Sequence, residues 1–135
     1  MDGVDCAVVD IARNRSRLRV KLLTHQTVPF SYSIRKRILL AQTQGTTAEI
    51  CRLHVILGEV FARVALRTIK KAGLAPQTIK LIGSHGQTIS HLPTPIWEAG
   101  IGSLRSSLQI GDPSVIAERT GITTCLLYTS PSPRD

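Results

Sequence analysis

The sequence predicts an α/β fold, and two observations lead to that prediction. The first part of the chain alternates polar and apolar residues with the period of paired strands. From residue 78 onward, short apolar runs alternate with helical segments, which is typical of sheets with at least some parallel pairing. We find no internal repeat and no linker. With 135 residues, the chain has the length of one domain or of a part of a larger one.

An antiparallel hairpin is expected at the start of the chain. Asp5–Ala12 is mostly apolar and rich in β-formers, and Asn14–Arg17 is a polar turn. Arg17–Thr24 then alternates basic with aliphatic residues, as a half-exposed strand does. The second strand is expected to end by Pro29, because proline has no N–H to donate to a neighbouring strand.

Two helices should follow the hairpin. The first is predicted over Ser31–Gln42, and the second begins at the capping box Thr46-x-x-Glu49. The second helix should end at Gly73, which favours a left-handed cap, with Pro76 preventing continuation. Its apolar residues recur at spacings of three and four: Ile50, Leu53, Leu57, Val60, Phe61, Val64 and Ile69. This pattern predicts one long amphipathic helix.

The remaining chain is predicted to form a βαβ unit. Asp112 is placed to cap a short helix that has Pro113 as its first residue. The other predicted pieces are a strand over Thr78–Ile82, a flexible connection over Pro93–Ser103, a strand over Ser107–Ile110 and a strand that starts at Ile122.

The amino-acid composition limits the classes of function that the chain could have. The net charge of +8 is compatible with a small basic α/β module that binds nucleic acid or another anionic partner. The basic residues are scattered and lack interleaved aromatic residues, so a solvated face is the favoured interpretation. The three cysteines form no CxxC pair and are odd in number, which favours buried thiols in a reducing cytoplasm. No segment has the length and apolarity of a membrane span.

The last residues are expected to be non-native. Residues 125–135, "CLLYTSPSPRD", turn abruptly from an apolar pattern into serine- and proline-rich coil. They match an in-frame translation of a transposase-type sequencing adapter over their whole length. We therefore exclude residues 125–135 from fold reasoning and expect residues 1–124 to be a piece of a longer protein, truncated at both ends.

Polar side chains follow two of the predicted strands. In "LIGSHGQT" (residues 81–88), Ser84, His85, Gln87 and Thr88 come where an apolar run ends, and Asp112 follows "LQI". Ligands of open α/β sheets bind at the carboxyl ends of strands, but polar turns are also common there. From these residues alone, a binding site and a polar turn are about equally supported. Asp112 can serve as a helix cap and as a site residue.

A second pair of polar residues lies on the long helix. His54 and Glu59 are five positions apart and do not share a face well, so we expect neither a metal site nor an acid–base pair there.

Three co-linear motifs resemble a known family. "MDGVDCAVVDI", "GSHGQTISHLP" and "LQIGDPSVIAERTGI" look like the N-terminal part of anhydro-N-acetylmuramic acid kinase, from Met1 to about Thr123. The resemblance implies the first lobe of an actin/hexokinase/Hsp70-type ATPase fold. It also implies a cytoplasmic enzyme of peptidoglycan recycling that uses ATP and Mg²⁺. Its substrate would be 1,6-anhydro-N-acetylmuramic acid, converted to N-acetylmuramic acid 6-phosphate by phosphate transfer and hydrolytic opening of the anhydro ring.

The resemblance also implies site residues. Asp2, Gly3 and Asp5 match the second half of the family's phosphate-binding turn, and Asp2 would help to hold Mg²⁺. Ser84, His85, Gln87, Thr88 and Asp112 would form the wall of the sugar site. The catalytic aspartate of the family is expected beyond this chain, so the chain alone should be inactive. Beyond ATP and the sugar, the resemblance implies no membrane partner and no nucleic acid, and it leaves a homodimer of the full-length protein open.

Overall fold

The computed structural model describes residues 3–14 and 17–127, which form a mixed α/β structure. Its elements follow in the order β1 (Gly3–Asn14), β2 (Arg17–Pro29), α1 (Tyr32–Gln44), α2 (Thr47–Lys71), a 3₁₀ turn (Pro76–Thr78), β3 (Ile82–Ser84), β4 (Gln87–Glu98), β5 (Gly102–Ile110), α3 (Pro113–Thr120) and β6 (Thr124–Leu126).

The strands of the described residues form three two-stranded sheets. The strands β1 and β2 pair antiparallel, as do β4 and β5, whereas β3 pairs parallel with β6. The predicted N-terminal hairpin and the predicted parallel pairing are therefore both confirmed. Both follow from patterns that are visible locally, namely period-2 alternation and alternating strands and helices.

The helix boundaries agree closely with the sequence signals. The Ser31 side chain accepts from the N–H of Ile34, and Thr46 Oγ1 accepts from the N–H of Glu49 at 3.2 Å. At the other end of α2, Gly73 has a φ of +72°. The carboxylate of Glu49 accepts from Arg37 Nε at 2.6 Å, which connects α2 to α1. The hydrogen bond from Arg37 holds the pKa of Glu49 below its usual value.

Helix α2 is the centre of the core. Its first half packs against α1 and the β4–β5 hairpin, in a cluster made of Ile38, Ala41, Leu53, Leu57, Ile89 and Ile110. Its second half contributes Ile69 to a smaller cluster with Val8 and Ile122. The buried Thr68 hydroxyl accepts from Gln26 Nε2 at 2.6 Å and so joins α2 to β2.

The strand predicted over Thr78–Ile82 is displaced along the chain. Pro76–Thr78 forms a 3₁₀ turn that is closed by the N–H of Ile79 donating to the carbonyl of Pro76. Strand β3 begins only at Ile82, because its parallel partner β6 reaches it from Ile82 to Ser84. Apolar periodicity cannot locate such a start, which depends on a partner about 40 residues away.

The prediction of a flexible connection over Pro93–Ser103 is wrong. Most of this segment lies in strands, since β4 extends to Glu98 and β5 begins at Gly102. The two prolines, Pro93 and Pro95, lie inside an irregularity of the register between Leu92 and Ile96. Prolines are tolerated in a hairpin at such a point because the ladder needs no N–H there.

The last strand also begins later than predicted. Ile122 is buried in the smaller cluster, and β6 starts at Thr124. Cys125 and Leu126, which the sequence assigns to the non-native tail, pair with Gly83 and Ser84. Most of the predicted tail, residues 128–135, lies outside the described residues. No helix in the described part of the chain has the length and apolarity needed to cross a bilayer.

Candidate functional site

A cavity of about 320 Å³ lies between the start of β1 and the connection from β3 to β4. Two continuous stretches of chain form its walls, Gly3–Cys6 and Ile82–Gln87. Apolar side chains of α2, α3 and the β2–α1 connection complete its lining: Phe30, Phe61, Ala65 and Ile116. The two walls of the cavity thus present polar side chains and backbone groups, and the rest of its lining is apolar. This arrangement is common in small-molecule sites.

The wall formed by β3 and β4 carries most of the residues predicted for a sugar site. Ser84, His85 and Gln87 all line the cavity. The turn between the strands depends on Gly86, which has a φ of +74° and whose missing Cβ would lie 2.9 Å from the carbonyl oxygen of Ile110. The turn is therefore fitted closely against the end of β5.

The opposite wall carries two of the residues predicted for nucleotide binding. Gly3 and Asp5 both line the cavity. The Asp5 side chain is largely exposed, and its Oδ1 accepts from the Thr27 hydroxyl and lies 3.7 Å from His25 Nε2. At Gly3, a Cβ would collide with the carbonyl of Val28 on the neighbouring strand, so strand pairing already requires a glycine there.

Two of the described site residues predicted from the sequence, Thr88 and Asp112, do not line this cavity. Thr88 follows Gln87 in β4, and successive strand residues point to opposite faces; its carbonyl accepts from Gln42 Nε2 at 3.2 Å. Asp112 caps α3. Asp2, predicted for both nucleotide and metal binding, lies outside the described residues. Among the residues that are described, no group of three or more His, Cys, Asp and Glu side chains could hold a metal ion.

Asp112 caps α3 as the sequence predicts. Its Oδ1 accepts from the N–H of Ser114 at 2.8 Å, and Pro113 is the first helical residue. Partial burial raises the pKa of Asp112, but the hydrogen bonds from Ser114 outweigh burial and hold this pKa below its ordinary value. The carboxylate is therefore held in its ionised form.

Sequence reasoning missed the role of His54 at this end of β5. Its Nδ1 accepts from the N–H of Gly111 at 3.1 Å, and its Nε2 lies 3.9 Å from Asp112 Oδ2. Glu59, five positions further along the helix, binds Arg119 at 2.8 Å. Nothing in the local sequence indicates the first contact, because it joins residues 57 positions apart.

The apolar lining was also not predicted as part of a site. Phe61 belongs to the apolar stripe of α2, which sequence reasoning assigns to the core, and Phe30 directly follows β2. The Phe61 ring lies where a Cβ of Gly111 would be. A stripe of this kind predicts burial, but it does not separate core positions from those that border a cavity.

Comparison with known proteins gives a consistent result. The chain matches the profile of the family described as "Anhydro-N-acetylmuramic acid kinase" over residues 1–128. It is 47% identical over 125 residues to a protein of that name from Caldanaerobacter subterraneus, with 91% of this chain and 31% of the relative covered. Proteins of the same name from Gloeobacter violaceus and Bacillus cereus are 40% and 38% identical, each with 32% of the relative covered. The chain thus spans about a third of the length of the curated relatives it matches.

Proposed function

Because this chain belongs to the anhydro-N-acetylmuramic acid kinase family, we propose that it forms part of an enzyme that phosphorylates 1,6-anhydro-N-acetylmuramic acid with ATP. The reaction would transfer the terminal phosphate of ATP to the 6-oxygen of the sugar while water opens the anhydro ring. N-acetylmuramic acid 6-phosphate and ADP would be released, in a cytoplasmic step of peptidoglycan recycling.

One observation supports this assignment beyond the family match. Two segments that are far apart in the sequence, Gly3–Cys6 and Ile82–Gln87, border the same cavity. A third segment contacts the second, since Gln87 pairs with Ile110 and Gly86 lies against the Ile110 carbonyl. Its Ile116 lines the same cavity. These are the three segments that carry the resemblance to sugar kinases, so their meeting point is the natural place for a shared site.

We assign the two walls to different ligands. Gly3 and Asp5 lie on the wall proposed for the nucleotide, and the resemblance adds Asp2, which is outside the described residues, to the nucleotide site. A hydrated Mg²⁺ is usually held by one or two carboxylates, and the carboxylate of Asp2 would help to hold it here. Mg²⁺ would neutralise charge on the phosphates during transfer.

The sugar would contact the other wall. Ser84, His85 and Gln87 offer hydroxyl, imidazole and amide groups for its hydroxyls and N-acetyl group. Thr88 and Asp112 would act at the edge of this region, through the backbone of β4 and the start of α3. The proposal includes an actin/hexokinase/Hsp70-type fold for the complete protein. It places the catalytic aspartate outside this chain and leaves the full-length protein free to pair as a homodimer.

The test requires a family-length protein that contains this segment. Extending the reading frame at its genomic locus would supply the missing parts, after which ATP-dependent phosphorylation of the anhydro sugar is measured. We expect Ser84→Ala and His85→Ala each to raise the KM for the sugar about tenfold, the effect of losing one hydrogen bond to substrate. The KM for ATP should not change.

His91→Ala is the matched control. His91 lies on β4 and does not line the cavity, and its Nδ1 is 3.3 Å from Ser107 Oγ. This variant should keep the KM of the unmodified protein. Absence of phosphate transfer to the anhydro sugar by the family-length protein would refute the proposal. Steep salt-dependent binding of DNA or RNA by the chain would instead favour the basic binding module.

A further inference from the structure

His54 holds two successive backbone N–H groups of the loop that joins β5 to α3. Its ring Nδ1 accepts from the N–H of Gly111 at 3.1 Å, and its carbonyl oxygen accepts from the N–H of Asp112 at 2.9 Å. One residue of α2 therefore satisfies both donors at a bend where Gly111 has a φ of +126°. Backbone donors that are partly buried need such partners.

The first of these bonds defines the tautomer of the ring. A nitrogen that accepts carries no proton, so the neutral ring has its hydrogen on Nε2. Nε2 lies 3.9 Å from Asp112 Oδ2, while Asp112 Oδ1 is occupied by the N–H of Ser114. The two oxygens of Asp112 are thus divided between capping α3 and facing His54.

The same loop also packs closely against α2 at two other positions. The missing Cβ of Gly58 would lie 2.9 Å from the carbonyl oxygen of Asp112, and the ring of Phe61 occupies the space beside Gly111. The preceding residue, Ile110, pairs with Gln87 in the cavity wall. A displacement of the loop would therefore reach the cavity wall through Ile110 of β5.

We propose that His54 is a positioning residue that acts through Asp112: it holds the Gly111–Asp112 loop against α2 and thereby sets the direction of the Asp112 carboxylate. The part of the proposal that concerns the sugar rests on the proposed function, whereas the holding of the loop does not. His54 need not touch a ligand to fulfil this role.

Hydrogen exchange of the 135-residue chain tests the holding of the loop. His54→Phe keeps a ring but has no acceptor, so we expect the Gly111 amide to exchange about tenfold faster, as loss of one hydrogen bond implies. His54→Asn places an oxygen near the position of Nδ1 and should restore protection. Glu59→Gln weakens the contact of α2 with Arg119 of α3 and should leave the Gly111 amide unchanged.

The outcomes separate a positioning role from a general loss of structure. Unchanged exchange of the Gly111 amide in His54→Phe would overturn the proposal. If His54→Phe unfolds the chain, His54→Asn decides: a protected Gly111 amide supports the proposal, and a fast one with the α2 amides still slow refutes it. The nitrogen-15 spectrum of the unmodified His54 ring needs no variant, since a proton on Nδ1 would also refute the proposal.

Steady-state kinetics of a family-length protein tests the link to the sugar. His54→Phe should raise the KM for the sugar several-fold with the KM for ATP unchanged, and His54→Asn should reverse the effect. If loop exchange rises but the sugar KM does not, the role through Asp112 is refuted. If the unmodified protein shows no kinase activity, the proposed function fails while the exchange result for the loop still stands.

Discussion

Single residues decide how closely the segments around the cavity approach one another. Gly86 and Gly73 have almost the same positive φ, +74° and +72°, but only Gly86 also faces a neighbouring backbone atom. Asp112 illustrates what local sequence can predict, since an Asp-Pro pair before a helix indicates a cap. His54 illustrates what it cannot, since its partner comes from another element.

The pair of glycines allows the cost of a close contact to be measured. Gly73→Ala should lower the free energy of unfolding by about 1 kcal/mol, the cost of a left-handed conformation for a residue with a Cβ. Gly86→Ala should cost about 2–3 kcal/mol, because its Cβ would also press on the Ile110 carbonyl. Urea unfolding of both variants measures the difference. Equal losses of unfolding free energy would show that the Ile110 carbonyl moves away from the added Cβ without cost.

The carboxylate of Asp112 should make stability depend on pH. Its pKa is lower in the folded chain than in the unfolded one, so its contribution is complete above the ordinary carboxyl value and is lost as the pH falls through the lowered folded value. We expect the free energy of unfolding to decrease on acidification below about pH 4. Asp112→Asn keeps a capping side chain but cannot titrate, and should show a weaker decrease. Identical pH profiles would contradict this account.

At the scale of elements, the sequence predicts helices better than strands. The signals of α1 and α2 are local: a capping residue, a periodic apolar face and a glycine after the last turn. The start of β3 and the length of β4 depend on their partner strands instead. The approach of α3 to α2 likewise depends on Gly58, whose missing Cβ would lie 3.0 Å from Val115 Cβ.

Two effects of opposite sign compete at Gly58. Alanine is the better helix former by about 0.5–1 kcal/mol, but a Cβ there would meet both Asp112 and Val115 of the α3 segment. We expect the contact to dominate and Gly58→Ala to destabilise the chain by about 1–2 kcal/mol.

Variants at Arg63, an exposed position of the same helix, measure the difference in helix propensity between alanine and glycine without the contact to α3. Arg63→Ala should be more stable than Arg63→Gly by the ordinary difference between alanine and glycine. Differential scanning calorimetry of all three variants provides the comparison. If Gly58→Ala stabilises the chain by as much as that difference, the added Cβ does not disturb the packing of α3 against α2.

At the scale of the whole molecule, the hairpin of β1 and β2 leaves apolar side chains exposed. Two cross-strand pairs, Val9 with Leu22 and Ile11 with Val20, lie beyond the part of the hairpin that reaches α2. Ile11 and Val20 are 62% and 63% exposed. Contiguous apolar area of this kind promotes association.

We therefore expect the chain to self-associate at high concentration. Val20→Lys should shift sedimentation towards the monomer, because it places a charge within the apolar face. Gln77→Lys adds the same charge at an exposed position of the 3₁₀ turn and serves as the matched control. If both variants sediment alike, net charge rather than the apolar face governs association.

The sequence by itself determined the α/β class, the opening hairpin, both long helices and the cap of α3. Each of these depends on residues within a few positions of one another, where hydrogen-bonding capacity and apolar spacing act directly. The tertiary structure decided which predicted site residues share a cavity, bringing together Gly3, Asp5, Ser84, His85 and Gln87. It also brought His54 to the Gly111 loop. Such contacts join residues far apart in the chain, and only the packing of whole elements around α2 determines them.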